Sequence, residues 1–315
     1  MTSDKISIAH WAVNFSHPLA SPGDWGKLVE TQLHEAAAQK ADILLMPEHL
    51  AEHWMHFAPA RMTYAEEPAW MAEQAAKIFP ALQAMVEKTG VALAAGSTSW
   101  RHEKTGNCRN RSWMFFPDRA PICHDKLVLT PSEKDPEGWN FETGDTLTVF
   151  EWRGLRLSLV ICLDIEMPAL AHKMAAQDID LLLVPSMTAK AAGYHRVYNC
   201  ARARAVELMT AVAVVGNVGG AAKDGKARET YQSGAAVYIP SEEVFGHTGV
   251  FSELPLHGRT DGPGNVLYSR NIPVGDIRVV RHGSAEAWPG PWSAEHIKVD
   301  FSGIEARIKK NIKAA

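Results

Sequence analysis

Leu157-Ser-Leu-Val-Ile-Cys162-Leu-Asp164-Ile-Glu166-Met-Pro168 decides how the chain is read. An apolar run stops at a cysteine. Two carboxylates, a proline and an Ala-rich pattern of helical spacing follow it. A strand that ends in a turn and a helix places the sulfur at the strand end, where α/β proteins build their sites. A thiol becomes a useful nucleophile only when its pKa is lowered or a base takes its proton. The rest of the chain must therefore supply a base and a cation. Glu48 follows the buried-strand pattern Ile43-Leu-Leu-Met-Pro47, and Lys126 sits inside the strand-like run Ile122–Leu129.

Working outward, residues 5–13 alternate as a strand, and Asp24 is expected to cap a helix over 24–40. A second helix fits 68–88 and stops at Thr89-Gly90, and Val91–Ser97 is a further buried strand. Asn110–Phe116 and Pro121–Leu129 pair about Pro117-Asp118. Residues 130–145 form a long loop, and Leu147–Glu151 and Leu155–Cys162 make a hairpin about Arg153-Gly154. Helix 166–177, strand Ile179–Val184, helix 191–208 and strands Ala211–Asn217 and Gln232–Ile239 follow, and Asn265–Arg281 holds the last one or two strands. This alternation predicts an α/β protein with one continuous core. We expect one domain over 1–285 and a C-terminal extension, 286–315, packed on a partner subunit.

Bulk properties remove several classes. With 46% hydrophobic and 22% charged residues the 315-residue chain has globular composition. A formal charge of -4 gives no electrostatic case for nucleic acid or an anionic membrane. The N-terminus lacks a signal-peptide pattern, and no apolar run reaches the roughly 18–20 residues that span a bilayer. Cysteines 108, 123, 162 and 200 form no C-x-x-C pair, which argues against a disulfide framework or a cysteine-rich zinc site and suits a reducing cytoplasm. Cys108, Cys123 and Cys200 read as structural.

The motifs then converge. Leu44-Leu-Met-Pro-Glu48, His124-Asp-Lys126-Leu and Ile161-Cys162-Leu-Asp164-Ile-Glu-Met-Pro168 resemble the glutamate, lysine and cysteine motifs of the nitrilase superfamily of carbon–nitrogen hydrolases. Asn110, Phe141-Glu-Thr-Gly144-Asp145, Val184-Pro-Ser186, Ala203-Arg-Ala-Val-Glu207, Gly216-Asn217 and Ser233-Gly234 match in the family's order. The resemblance implies a four-layer αββα sandwich, usually dimeric or in larger homo-oligomers. It implies a triad of Glu48, Lys126 and Cys162, a small amide or nitrile as substrate, and no metal or cofactor. Glu48 would serve as base, and Lys126 with the backbone N–H of Leu163 would hold the oxyanion through a Cys162 thioester. Many members carry a second glutamate between lysine and cysteine. Spacing back from Gly144-Asp145 favours Glu137, which we prefer, and spacing forward from Lys126 favours Glu133. Leu163, Trp54 and Ser186 are the candidate substrate contacts. The absence of arginine over 163–168 speaks against N-carbamoyl amino acids, and Glu207-Leu208 replaces the common Glu-Asn step.

Other readings compete. His49-Leu-Ala-Glu52-His53 matches the H-x-x-E-H pattern of inverted zinc peptidases, although no distal acidic ligand is identifiable. The bland reading is that these residues line the pocket beside Glu48. A catalytically silent binding protein on the same fold is a further alternative. The basic run from Arg307 reads as the solvated face of a terminal helix.

Overall fold

The computed structural model describes residues 5–223, 226–227, 230–258 and 260–300. The first half of the chain runs β1 (Ile6–Val13), α1 (Pro22–Ala38), β2 (Ile43–Leu45), α2 (Glu67–Thr89), β3 (Ala92–Arg101), β4 (Cys108–Phe115), β5 (Ile122–Asp125) and α3 (Pro131–Lys134). The second half runs β6 (Val149–Trp152), β7 (Leu155–Leu159), α4 (Pro168–Ala175), β8 (Leu181–Ser186), α5 (Ala191–Glu207) and β9 (Ala211–Gly216). It closes with the short pair β10 (Ala222–Lys223) and β11 (Lys226–Ala227), then β12 (Ser233–Tyr238), β13 (Val250–His257), β14 (Gly264–Ile272) and α6 (Val274–Gly283).

Two mixed six-stranded sheets result, ordered β14-β1-β2-β3-β4-β5 and β13-β12-β9-β8-β7-β6. The all-apolar segments occupy the parallel centres. β2 lies between β1 and β3, and β8 lies between β7 and β9. Strands buried on both faces need such uninterrupted runs. Alternate residues then divide between layers. Ile8, Ile43 and Leu45 meet Leu157, Leu181 and Leu183 between the sheets. Trp11, Leu44 and Leu93 face Trp25, Val29 and Leu82 on the outer helices α1 and α2. Leu182, Val184 and Val212 face Val197 and Ala201 of α5. Each such aliphatic side chain contributes roughly 1.5–3 kcal/mol when fully buried. The architecture is the expected αββα sandwich.

The termini of elements follow local chemistry. Ser21, rather than Asp24, caps α1, with its Oγ accepting from the Asp24 N–H at 3.2 Å, because Pro22 supplies the preset φ of the first turn. Gly90 ends α2 at φ 71°. The β6–β7 hairpin turns through Arg153 (φ 51°) and Gly154 (φ 75°), both left-handed as a two-residue hairpin turn requires. Of the one or two strands expected within 265–281, the structure holds one, β14. β13 lies upstream as a half-buried edge strand, and 274–283 is helical because Val274, Ile277 and Val280 recur on one face. No helix among the described residues is long and apolar enough to cross a membrane. Residues 286–300 run mostly exposed, with Trp288 Nε1 donating to Glu207 O at 3.0 Å. The basic run from Arg307 lies outside the described residues.

Candidate active site

Three strand ends bring Glu48, Lys126 and Cys162 to one cavity. Glu48 lies just past β2, its N–H donating to Ser186 O at 3.3 Å at the end of β8. Pro47 is fixed by the approach of Gly96, where φ is +53° and an added methyl would fall 1.8 Å from Pro47 O. Only glycine satisfies both demands. Lys126 lies just past β5, not inside a strand. Its N–H donates to Asn110 O and its carbonyl accepts from the Gly144 N–H, both at 2.8 Å. Cys162 sits beyond β7 at φ 48°, a left-handed conformation that turns the chain sharply into a short 3-10 helix, Cys162–Glu166. A non-glycine residue held there is strained, as recurs at functional sites.

Asp164 joins two of these segments. Its carboxylate accepts from Ile161 N at 3.0 Å and from Val128 N at 2.8 Å, so it ties the cysteine turn to the chain just past Lys126. Asp164→Ala leaves buried N–H groups without an acceptor and is expected to cost roughly 3 kcal/mol. Urea unfolding would read this; an unchanged midpoint would show that the tie adds nothing.

The polar core of the site is fully buried. Lys126 Nζ donates to Glu48 Oε1 at 2.7 Å and to Glu133 Oε2 at 2.8 Å. Asn110 Nδ2 reaches Glu48 Oε1 at 3.0 Å and Glu133 Oε1 at 2.9 Å. His49 Nε2 lies 3.1 Å from Glu133 Oε1. Thr130 caps α3 and adds its N–H at 2.8 Å and its Oγ1 at 2.9 Å to Glu133 Oε2. Burial by itself would lower the Lys126 pKa, but Glu48, Glu133 and Cys162 outweigh it and hold the ammonium above its ordinary range. Burial would raise Glu133, and the Lys126 charge with the His49 contact instead holds it well below the usual carboxylate range. Burial and the adjacent Glu48 push the Cys162 thiol well up, against a smaller downward pull from Lys126. The resting sulfur is therefore a thiol at neutral pH; its S–H points to Met187 O at 3.8 Å, in the cavity it shares with Glu48.

Three expectations need correction. Glu133, not Glu137, adjoins Lys126; Glu137 is exposed on the loop with its N–H on Asp135 Oδ1. The single turn α3 swings Glu133 inward, and the sequence signal was the capping box Thr130-Pro-Ser-Glu133. Trp54 is wholly buried, edge-on to Trp25 at 5.4 Å and outside the cavity. Ser186 turns its Oγ to Val215 O at 3.1 Å, so its contribution is the carbonyl that receives the Glu48 N–H. The Leu163 side chain is half-buried and does not line the cavity, which leaves its backbone N–H as the group of interest.

The zinc pattern also separates. His53 Nε2 donates to His17 O at 2.7 Å, while His49 Nε2 faces Glu133. Burial pushes the His53 pKa down to about 3. Among the described residues, Glu48, His49 and Glu133 do have the spacing of metal ligands. The Lys126 ammonium lies between those two carboxylates, so the chain supplies its own cation there.

The cavity holds about 360 Å³, with Trp139, Tyr64, Tyr231 and Met187 among its walls. A larger one, about 620 Å³, lies between α4, the end of α5 and residues 286–292, away from the Glu–Lys–Cys grouping.

A family model described as carbon-nitrogen hydrolase matches residues 20–250. Among curated proteins, the chain is 27% identical over 231 residues to a probable hydrolase, YhcX, of Bacillus subtilis (strain 168), covering 73% of this chain and 44% of that protein. It is 33% identical over 121 residues to an (R)-stereoselective amidase of Pseudomonas sp, covering 38% and 42%. The chain thus spans less than half the length of these two relatives. An amidase from Nesterenkonia sp. superposes with a TM-score of 0.65 at 21% identity, over 88% of this chain and 94% of that one, a likeness of fold. A mutant of that amidase has been solved with butyramide.

Proposed function

The chain belongs to the carbon–nitrogen hydrolase family, and on that premise we propose that it hydrolyses a small amide to a carboxylic acid and ammonia or an amine through a Cys162 thioester. The observation that carries this reading is the convergence of the Glu48 carboxylate, the Lys126 ammonium and the Cys162 sulfur on one buried cavity. Amides come before nitriles and N-carbamoyl compounds because two of the similar proteins are amidases, one of them solved with a simple aliphatic amide.

The proposed chemistry follows from the environment of each group. With the thiol protonated at rest, Glu48 removes its proton as sulfur attacks the amide carbonyl carbon. Negative charge develops on the carbonyl oxygen, and Lys126 with the Leu163 N–H stabilises it, unscreened by bulk water. Glu48 returns its proton to the departing nitrogen and the C–N bond breaks, leaving the thioester. Glu48 then deprotonates a water that attacks the thioester carbon, and the acid leaves with the thiol restored. The assignment of Glu48 over Glu133 as base rests on their partners. Glu133 accepts from Lys126, Asn110, His49 and Thr130, whereas Glu48 accepts from Lys126 and Asn110. Of two carboxylates in one site, the one with fewer donors takes the proton.

Timed iodoacetamide labelling with peptide mapping, beside a panel of amides, nitriles and carbamoyl compounds, tests the reading. Cys162 is expected to label faster than the other three cysteines, to speed up as pH rises, and to slow in Glu48→Gln. Amide turnover should accompany it. Uniform labelling of all four cysteines, or turnover of nitriles alone, would displace the proposal.

A further inference from the structure

We propose that His49 is a positioning residue that fixes the division of labour between the two buried carboxylates, holding Glu133 anionic so that Glu48 alone accepts the Cys162 proton. The kinetic part of this inference rests on the amide-hydrolase reading; the geometric part does not.

His49 sits at φ 52°, a left-handed position entered directly after Glu48. Its N–H donates to Ser97 Oγ at 3.1 Å, which fixes the backbone. The ring is held by Trp139, with centroids 4.8 Å apart, and stacks on Phe141 at 12° between planes. This costs conformational freedom and backbone strain, and it aims one ring nitrogen at the carboxylates. Nε2 lies 3.1 Å from Glu133 Oε1 and 3.7 Å from Glu48 Oε1. A carboxylate oxygen held anionic only accepts, so the hydrogen sits on Nε2. Asn110 also approaches Nε2, at 3.1 Å, but its two amide hydrogens are directed to Glu48 and Glu133.

The consequence is an asymmetry between acids that share one lysine. A charge-assisted donor favours the ionised form of the carboxylate it reaches. His49 gives that donor to Glu133 at hydrogen-bonding distance, and to Glu48 only beyond it. Without it the two carboxylates become more alike. The proton leaving sulfur then divides between Glu48 and Glu133, which line the same cavity as Cys162. A proton parked on Glu133 also loosens the grip on Lys126. In this light His49-x-x-Glu52-His53 is no metal motif; its first member serves the triad.

The test compares His49→Phe and His49→Leu, which lack the donor, with His49→Gln, which replaces the ring N–H by an amide N–H of similar reach. The readouts are the iodoacetamide labelling rate of Cys162 and, separately, kcat and KM on an amide. In whichever donorless variant folds, by thermal unfolding, labelling and kcat should fall about 10- to 100-fold, the range of one charge-assisted hydrogen bond, with KM within about threefold. His49→Gln should recover most of the loss. In a Glu133→Gln background the competing acceptor is gone, so the same His49 substitution should change labelling by less than about twofold. Equal rates across the donor and donorless variants, or an undiminished loss in the Glu133→Gln background, would overturn the proposal. If no amide is turned over yet the labelling pattern holds, the functional reading fails and this one stands.

Discussion

Cys162→Ala is expected to abolish amide turnover, by more than about 10⁴-fold in kcat, while the protein folds as before. The proposed route forms its only covalent bond to substrate at this sulfur. Without it, Lys126 and the Leu163 N–H could still polarise a bound carbonyl, but nothing would attack. The structural cost is small because the change removes one atom. Cys162 already occupies φ 48°, so alanine introduces no strain that cysteine did not carry. Calorimetric titration with the substrate amide should therefore show binding retained, since the cavity walls and the Lys126 network are untouched. Cys162→Ser should be nearly as inactive, its hydroxyl being a far weaker acid than a thiol. Turnover in Cys162→Ala within tenfold of the parent would remove the sulfur from the mechanism. Loss of binding together with loss of folding would instead assign the residue to the core.

Much of the fold was legible because buried parallel strands leave little choice of residue. Ile43–Leu45 and Leu181-Leu-Leu-Val184 are apolar runs, the first followed by Met46-Pro47 and the second by Pro185-Ser186 at the end of its own strand, and both occupy sheet centres. Site residues at the ends of such strands were legible for the same reason. What was not legible lies where position depends on a short turn or on tertiary contact. Glu133 and Glu137 are both acidic residues on a charged loop. The single turn Pro131–Lys134 points one inward and leaves the other in solvent. The capping-box spacing carried that information, whereas spacing to the family's Gly-Asp step did not. Trp54 failed differently. Proximity to Glu48 in sequence implied the pocket, but the 3-10 helix Leu50–Phe57 rotates the indole against Trp25 and Phe79. β13 was missed because an edge strand carrying Glu253 and Pro255 has weak alternation and gains its place from pairing with β12.

Lys126→Met should damage stability as well as turnover, and its signature is in the pH dependence. Methionine keeps an unbranched chain of similar length and removes the charge. Two buried carboxylates then face each other without the ammonium that bridges them. Removing one partner of a buried ion pair costs roughly 3–5 kcal/mol. Loss of the oxyanion partner should lower kcat by about 10²- to 10³-fold. In the parent, Glu133 is held well below the ordinary range. Its stabilisation is present above the unfolded carboxylate pKa of about 4.3 and is lost as pH falls toward the folded value. In the variant the sign reverses. Burial and mutual repulsion raise one carboxylate, whose protonated form is favoured, so stability is greater at low pH and declines as pH rises through the raised value. The Lys126 pKa is itself raised, so its own contribution is intact below the unfolded value of about 10.4 and adds no slope between pH 5 and 8. The gap between parent and variant in urea midpoint should therefore be widest near pH 7–8 and narrow toward pH 5. A gap that stays constant across that range would mean that Lys126 does not compensate these two acids, and the electrostatic account of the site would fall with it.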